Sequence, residues 1–244
     1  MFFFSKRTTI HLDVFTNRKD VFDFYPVDHT EKFFPEWWKA LPNHVVSSDG
    51  FSPMGTMKRC VGVSQYYGNG ITIPLWSDLY VNVIEDNLIW QFSDKISEAA
   101  PHPEIQMTGY LNMQNHRHLK LISPWYFSCK EEVRWLWTQP IWNFHEPTKI
   151  IIPPANIEYK YNPGTNVNIF FNADEYRVIS MEAGQPLANI YPVTERHLKI
   201  HHQLVSNEEY ARIGSLSSTT KFLSKYLNNR RILKSKEKKC PFHL

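Results

Sequence analysis

The chain of 244 residues has 3 cysteines and 9 glycines, and it lacks any run of about 18 apolar residues. Cys60, Cys129 and Cys240 form no CxxC pair, which argues against a disulfide framework or a zinc knuckle and favours a reducing compartment. The missing apolar run predicts that no helix spans a membrane. Residues 2–4 are three phenylalanines, too short a run for the apolar region of a signal peptide, so we expect no secretion.

Motifs that carry catalysis are also missing. Gly68-Asn69-Gly70 lacks the third glycine and the following helix of a phosphate-binding loop, so it predicts a turn. No GxSxG, HExxH or kinase-type pattern occurs. Candidate acids and bases such as Asp78 and Glu104 have no spacing that pairs them, because pairing of carboxylates depends on distance in space. We therefore expect no catalytic residue, no cofactor and, on balance, no enzyme.

Aromatic residues, by contrast, make up 15% of the chain, and short runs of alternating apolar and polar residues fill most of it. Ile10, Leu12 and Val14 alternate with polar residues, which is typical of a strand with one buried face. Similar strands are predicted at residues 8–15, 71–76, 79–84, 88–92, 119–129, 133–138, 149–152, 156–161, 167–171, 177–181, 187–193 and 197–205. Consecutive short strands indicate a mainly β fold, an antiparallel β-sandwich or barrel.

Two helices are predicted, one near each end of this series. Pro35 suits the first turn of a short helix over residues 35–41, and Pro42 ends it. Ser206 and Glu209 form a capping box, which predicts a longer C-terminal helix. We thus expect a β-rich domain over residues 1–205, a helix over 206–228 packed on it, and a basic tail over 229–244.

The C-terminal segment is strongly basic, since residues 221–244 carry a net charge of +7. The charge suits a solvated end, a non-specific contact with nucleic-acid phosphates, or docking on an acidic neighbour. Apolar residues close to the terminus favour docking, either on a partner or on the same chain. The candidate partner-binding residues are Lys234, Lys236, Lys238, Lys239 and Phe242.

A candidate metal site lies at His116 and His118. Residues two apart on a strand share a face, so both imidazoles could bind one ion. A third ligand would have to come from elsewhere, with His102 and Glu104 as candidates. The alternative is a polar strand that faces solvent.

Several phrases, in order along the chain, resemble an uncharacterised family found in T4-like phages of marine cyanobacteria and in some bacteria. They are Pro35-Glu-Trp-Trp-Lys, Met57-Lys-Arg-Cys60, Ile73-Pro-Leu-Trp-Ser-Asp78, Ser123-Pro-Trp-Tyr126 and residues 183–196. The family has no assigned activity, so the resemblance implies a phage setting, in the host cytoplasm or the virion, and no particular chemistry.

Part of the last phrase is similar to a second family, the trimeric dUTPases and dCTP deaminases. Gly184-Gln185-Pro186-Leu187-Ala188-Asn189 resembles their Gly-x-x-Ile-Ala-Gln turn and strand but departs from it at Asn189. The catalytic motifs of that family are absent. This similarity implies a possible β-barrel architecture and no catalytic residue.

Three functions follow as expectations. The first is a non-enzymatic, phage-encoded structural or assembly protein of the virion, with aromatic oligomer contacts or contacts to other virion proteins. The second is a small-ligand protein that sequesters a nucleotide used in host defence, in which Trp37, Trp76 and Trp125 stack a base and Arg196 holds phosphate. The alternative for these side chains is the core or an interface. The third is a nucleotide-metabolising enzyme with a scattered site.

Overall fold

Strand is the predominant secondary structure, at 39% of residues against 25% helix, so the expected mainly β class is confirmed. The structure is a computed structural model that describes residues 9–48, 50–84, 87–107, 109–110, 115–144, 150–174, 178–219 and 223–238. The strands are β1 (Ile10–Thr16), β2 (Asp28–His29), β3 (His44–Val46), β4 (Pro53–Gly55), β5 (Ile71–Pro74), β6 (Leu79–Ile84), β7 (Asn87–Phe92), β8 (Glu98–Pro101), β9 (His116–Ile122), β10 (Tyr126–Ser128), β11 (Trp135–Thr138), β12 (Ala155–Ile157), β13 (Val167–Asn172), β14 (Val178–Met181), β15 (Pro186–Pro192) and β16 (Leu198–Leu204).

The α-helices are fewer and lie at both ends and in the first third of the chain. They are α1 (Lys19–Phe24), α2 (Glu36–Ala40), α3 (Val61–Gly68), α4 (Asn207–Thr219) and α5 (Leu223–Lys238), and short 3-10 turns cover Thr30–Phe33, Met57–Arg59, Glu104–Met107 and Ile141–Asn143. Helix α2 falls within the predicted residues 35–41. Helices α1 and α3 were not predicted, because each is short and buries only one or two side chains.

The strands form several small sheets. The orders are β12-β11-β15-β5-β2, β10-β1-β16, β13-β9-β8 and β14-β6-β7, with β3-β4 as a separate hairpin. No sheet formed by the described residues closes into a barrel, so the barrel form of the fold prediction is not met. All pairings of the described strands but one are antiparallel, yet only β3–β4, β6–β7, β8–β9 and β11–β12 join strands that are consecutive in the chain.

One pairing departs from the antiparallel expectation. Strands β1 and β16 run parallel over their whole length, from Ile10 opposite Leu198 to Thr16 opposite Leu204. Parallel neighbours need a long connection between them, and here nearly the whole domain supplies it. The alternation in each strand is visible in the sequence, but it carries no information on which partner a strand takes.

The buried faces meet in one main core. It collects residues from β1, β5, β6, β9, β11, β13 and β15, with Trp76, Trp125 and Trp135 among its largest side chains. A second, smaller core lies under α2 and α3, where Trp38, Val63 and Tyr67 are buried together. Full burial of one such apolar side chain contributes about 1.5–3 kcal/mol, so the buried aromatic residues contribute strongly to the stability of both cores.

The C-terminal part differs in detail from the single helix predicted over 206–228. Helix α4 begins at the predicted capping box, where the N–H of Glu209 donates to Ser206 Oγ at 3.2 Å. Helix α5 then extends to Lys238, so the basic segment is helical up to that residue. Residues 220–222 and 239–244 lie outside the described residues.

Candidate functional site

A cavity of about 290 Å³ opens beside the β9–β13 pair. His118 and Phe170 are opposite one another in the antiparallel register, so their side chains share a face, and Asn168 lies two residues from Phe170 on that same face. Trp137 of β11 and a Pro-rich segment before β12 form the other walls. The cavity therefore lies between two sheets, closed by aromatic and proline rings.

His118 is the best-defined polar group of this cavity. It is 7% exposed, and its ring is stacked between Phe170, at 4.2 Å between centroids, and His102, at 4.6 Å. Its Nε2 lies 3.0 Å from Asn168 Oδ1. Because a carboxamide oxygen only accepts, Nε2 donates and Nδ1 is left as an acceptor. That Nδ1 is buried and has no hydrogen-bond partner within the part of the chain that the structure describes.

The described lining of the cavity carries no fixed charge, although Lys120 lies opposite Asn168 in the β9–β13 register. Burial lowers the pKa of His118 from its ordinary value, against the opposing effect of the Asn168 hydrogen bond, so the imidazole is neutral at pH 7. None of the described residues that line the cavity is Lys, Arg, Asp or Glu. A charged ligand would lose its hydration there without a partner, which is costly.

The described residues do not assemble the metal site predicted at His116 and His118. Nε2 of His118 already donates to Asn168, and both ring faces are covered by other rings. Among the described residues no group of three His, Cys, Asp or Glu side chains could hold a metal ion. The side chain of Glu104, one of the candidate third ligands, lies outside the described residues.

A second candidate site is the hairpin β3–β4, which presents apolar side chains to solvent. All six of its strand residues are exposed, with Val45 opposite Met54 in the register. Phe51, at the tip, is 93% exposed, and Val46 is also exposed. We call Val45, Val46, Phe51 and Met54 the apolar hairpin. The sequence pattern predicts neither strand of this hairpin, although the large apolar residues of the segment were a signal from which they could have been predicted.

Polar contacts at the base fix the position of this hairpin. Arg59 lies 2.6 Å from the ring nitrogen of His44, the Thr56 hydroxyl donates to the Pro42 carbonyl, and the Lys58 ammonium donates to the Lys39 carbonyl. Two of these contacts tie the hairpin to the end of α2. The hairpin is therefore held by hydrogen bonds at its base while its apolar side chains point to solvent.

Exposed aromatic rings also lie at α2, which precedes the hairpin in the chain. Trp37 is 41% exposed, its indole N–H donates to the carbonyl of Trp142 at 2.9 Å, and the two rings lie 6.1 Å apart. The neighbouring Trp38 is buried against Phe34. Adjacent helical residues point about 100° apart, which is why one tryptophan joins the core and the other the surface.

The four residues predicted to bind a nucleotide do not form a stacking site. Trp76 and Trp125 are 1% and 0% exposed, so neither offers a ring face to a ligand. Arg196 is partly buried, with its Nε 3.4 Å from Thr194 Oγ1. Only Trp37 of the four is substantially exposed. The core interpretation is therefore correct for Trp76 and Trp125.

The basic C-terminal segment docks on the same chain. The Lys234 ammonium lies 3.1 Å from Glu132 Oε2, and Arg230 lies 3.3 Å from Glu158 Oε1 and 5.8 Å from the ring of Tyr161. The Lys234 hydrogen bond is the main cause that lowers the pKa of Glu132. Lys234, predicted to bind a partner, is thus engaged internally. The side chains of Lys236 and Lys238, and the whole of Lys239 and Phe242, lie outside the described residues.

The buried cysteine has no nucleophilic character. Burial, together with a hydrogen bond to Glu131, raises the pKa of the Cys129 thiol to about 12. A thiol is reactive as the thiolate, which is scarce at pH 7 when the pKa is that high.

Comparison with known proteins assigns the chain to no family. No protein-family model matches it, and no curated protein sequence matches it. In the part of the chain that the structure describes, no helix combines the length and apolar character needed to cross a membrane.

Proposed function

We propose that the chain is a non-enzymatic protein that acts by binding other protein chains, with the apolar hairpin and Trp37 as the contact surface. In the phage setting that the sequence resemblance implies, this makes it a structural or assembly component of the virion, as a homo-oligomer or beside other virion proteins. The exposure of Phe51 at the tip of a positioned hairpin is the observation that carries the proposal.

Physical reasoning favours an interface over chance exposure. Single exposed apolar residues are ordinary on protein surfaces, but clustered ones mark interaction sites. Aromatic residues and methionine are enriched in protein interfaces, and the apolar hairpin with Trp37 contains both. A hairpin with strands of three residues is not stable alone. The hydrogen bonds at its base therefore hold it in the position in which its apolar side chains face solvent.

A sandwich arrangement of the sheets belongs to the same proposal. The sheets share one main core, as expected where sheets pack face to face. Such a scaffold leaves surface hairpins free to project toward neighbouring subunits.

Solution mass tests the proposal. We expect the wild-type chain to associate as its concentration rises in light scattering, and Phe51→Ser with Met54→Ser to remain monomeric. Phe24→Ser is the matched control, because Phe24 is an exposed aromatic residue outside the hairpin. If wild type, variant and control share one monomeric mass, self-association is refuted. Recovery of the protein from infected cells only in the soluble fraction, never in purified particles, would refute the virion role.

A nucleotide-sequestering function has less support. It requires exposed stacking rings beside a cation, whereas Trp76 and Trp125 are buried and the described cavity wall has no cation.

A further inference from the structure

We propose that strand β16 binds an extended, acidic segment of a partner protein, which pairs with its open edge as a further strand. Sheets bind peptides in this way through main-chain hydrogen bonds, while alternate side chains give specificity. The surface is separate from the apolar hairpin, so the inference does not depend on the contact proposed there. It names a second contact, of a different chemical kind.

The outer edge of β16 presents main-chain groups without a partner strand. In the sheet order β10-β1-β16 the strand has a neighbour on one side only. The N–H of Ile10 donates to the His197 carbonyl and the N–H of Val205 donates to the Thr16 carbonyl, so the odd-numbered positions turn toward β1. Successive residues of a strand turn their N–H and C=O to opposite sides. The outward positions are therefore Leu198, Ile200, His202 and Leu204.

The length of this edge makes it a binding surface. Strand β16 has seven residues, none of them fully buried, and within the described residues it pairs with β1 alone. Natural proteins shorten, cover or charge such edges, because an open edge pairs with other extended chains. The only fixed charge on β16 is Lys199, which is exposed. It disfavours a basic strand and favours an acidic one.

A groove of about 490 Å³ gives the added strand room. Residues 198–200 and His202 of β16 line it, together with part of the segment from Phe22 to Lys32. That segment contains β2, the edge strand of the five-stranded sheet, so the groove lies between the edges of two sheets. The His202 Nε2 donates to the Val27 carbonyl at 2.5 Å, which holds the segment against β16. The groove is therefore bounded by fixed secondary structure.

The described carboxylates around the groove are already engaged. Asp28, in its lining, pairs with Lys32 at 2.5 Å. Asp13, opposite His201 in the β1–β16 register, accepts from the Gln203 side chain at 2.8 Å. The positive charge of the groove is therefore not cancelled at Lys199, which forms no ion pair within the described residues.

This charge also favours an acidic partner over a second copy of the chain. Strand β16 contains Lys199, His201 and His202 and no carboxylate. A second copy would place the same basic strand against it, and like charges on neighbouring strands destabilise a sheet. Leu198 and Ile200 lie on the opposite face from Lys199 and are partly buried. A complementary strand therefore alternates acidic and apolar residues.

The peptide acetyl-Glu-Val-Glu-Val-Glu-Val-amide has this pattern and provides the direct test. By fluorescence anisotropy of the labelled peptide with the full chain, we expect saturable, one-to-one binding with a Kd below about 1 mM. Two control peptides carry N-methyl groups on the three valines or on the three glutamates. Since alternate amides face opposite sides of a strand, one of these peptides should lose binding and the other should keep it.

Hydrogen exchange of single amides locates the contact. With free peptide at about nine times its Kd, exchange at the four outward positions should slow about tenfold, because only the free protein exchanges there. The amides of Lys199, His201 and Gln203 already face β1, so the peptide should not change their exchange. Protection of both sets, or of neither, would contradict pairing at this edge.

Two matched substitutions test the acidic class. Lys199→Glu should weaken binding of the acidic peptide about three- to tenfold, since an exposed attraction becomes a repulsion. Lys130→Glu makes the same change at an exposed lysine that follows β10, on the opposite edge of this sheet, and it should bind as wild type does. A peptide with lysine in place of glutamate should prefer Lys199→Glu to wild type. Equal affinities of the two variants for the acidic peptide would refute the acidic class.

Three further results would overturn the inference. The first is no binding below about 1 mM, and the second is an equal effect of both N-methylated peptides. The third is a dimer in light scattering whose outward β16 amides are protected without peptide, which would assign the edge to a second copy. The variant with Phe51→Ser and Met54→Ser should bind the peptide as wild type does, so failure of the hairpin proposal and failure of this one are distinguishable.

Discussion

Gly70 is predicted to be required for full stability, while Gly68, the last residue of α3, is not. A Cβ on Gly70 would lie 2.5 Å from Cε1 of Tyr191 and 2.7 Å from Oγ1 of Thr30, well inside contact distance. Nothing lies within 4 Å of a Cβ on Gly68. Neither glycine has a positive φ, so steric contact alone distinguishes them.

The magnitude follows from the cost of overpacking. Inserting a methyl group into a filled site costs about 1–3 kcal/mol when neighbours must shift, and Tyr191 packs in turn against Tyr66, at 5.1 Å between rings. Gly68→Ala, by contrast, should leave stability unchanged or raise it by about 0.4–1 kcal/mol through a less flexible unfolded chain. For a chain of this size, 1 kcal/mol corresponds to about 2–4 °C in Tm.

Urea denaturation of both variants measures the difference. We expect the midpoint of Gly70→Ala to fall with an unchanged m value, since a local clash alters stability and not the surface exposed on unfolding. Adding Tyr191→Leu should recover part of the loss, as a positive coupling in a double-mutant cycle. Equal stability of Gly68→Ala and Gly70→Ala would refute the contact-based reasoning, and so would strict additivity of Gly70→Ala with Tyr191→Leu.

Two further predictions concern charge. Burial alone would raise the pKa of Asp94, but hydrogen bonds from Ser97 and Arg18 outweigh it and hold the pKa below its ordinary value. Asp94→Asn should therefore cost about 1–3 kcal/mol of stability at neutral pH, and this cost should shrink as pH falls below the ordinary carboxyl range. A pH-independent difference in urea midpoints between wild type and Asp94→Asn would contradict this. Glu158→Gln removes the carboxylate that pairs with Arg230, a loss of about 1 kcal/mol for a partly exposed pair. Hydrogen exchange of the backbone amides in α5 should therefore become faster, while the melting temperature of the β-rich domain should not change. Unchanged exchange in α5 would show that the ion pair does not hold the helix on the domain.

Strand positions could be predicted from the sequence because a period of two is a local property. The run predicted at 79–84 is β6, with the same bounds, and the run predicted at 8–15 is shifted only slightly from β1. Partner choice is not local. The parallel pairing of β1 with β16 joins residues almost 190 positions apart, and no pattern within either strand encodes it.

The candidate sites likewise combine local features, which the sequence shows, with long-range contacts, which it does not. The sequence predicts His118 as a metal ligand, because spacing alone cannot show that Phe170 and His102 cover its ring. The cavity depends on the register of β9 with β13, which is a three-dimensional fact. The hairpin was not predicted because Gly, Pro and Ser in residues 43–57 are typical of a loop. The first difference thus comes from long-range packing, and the second from local turn residues within a short hairpin.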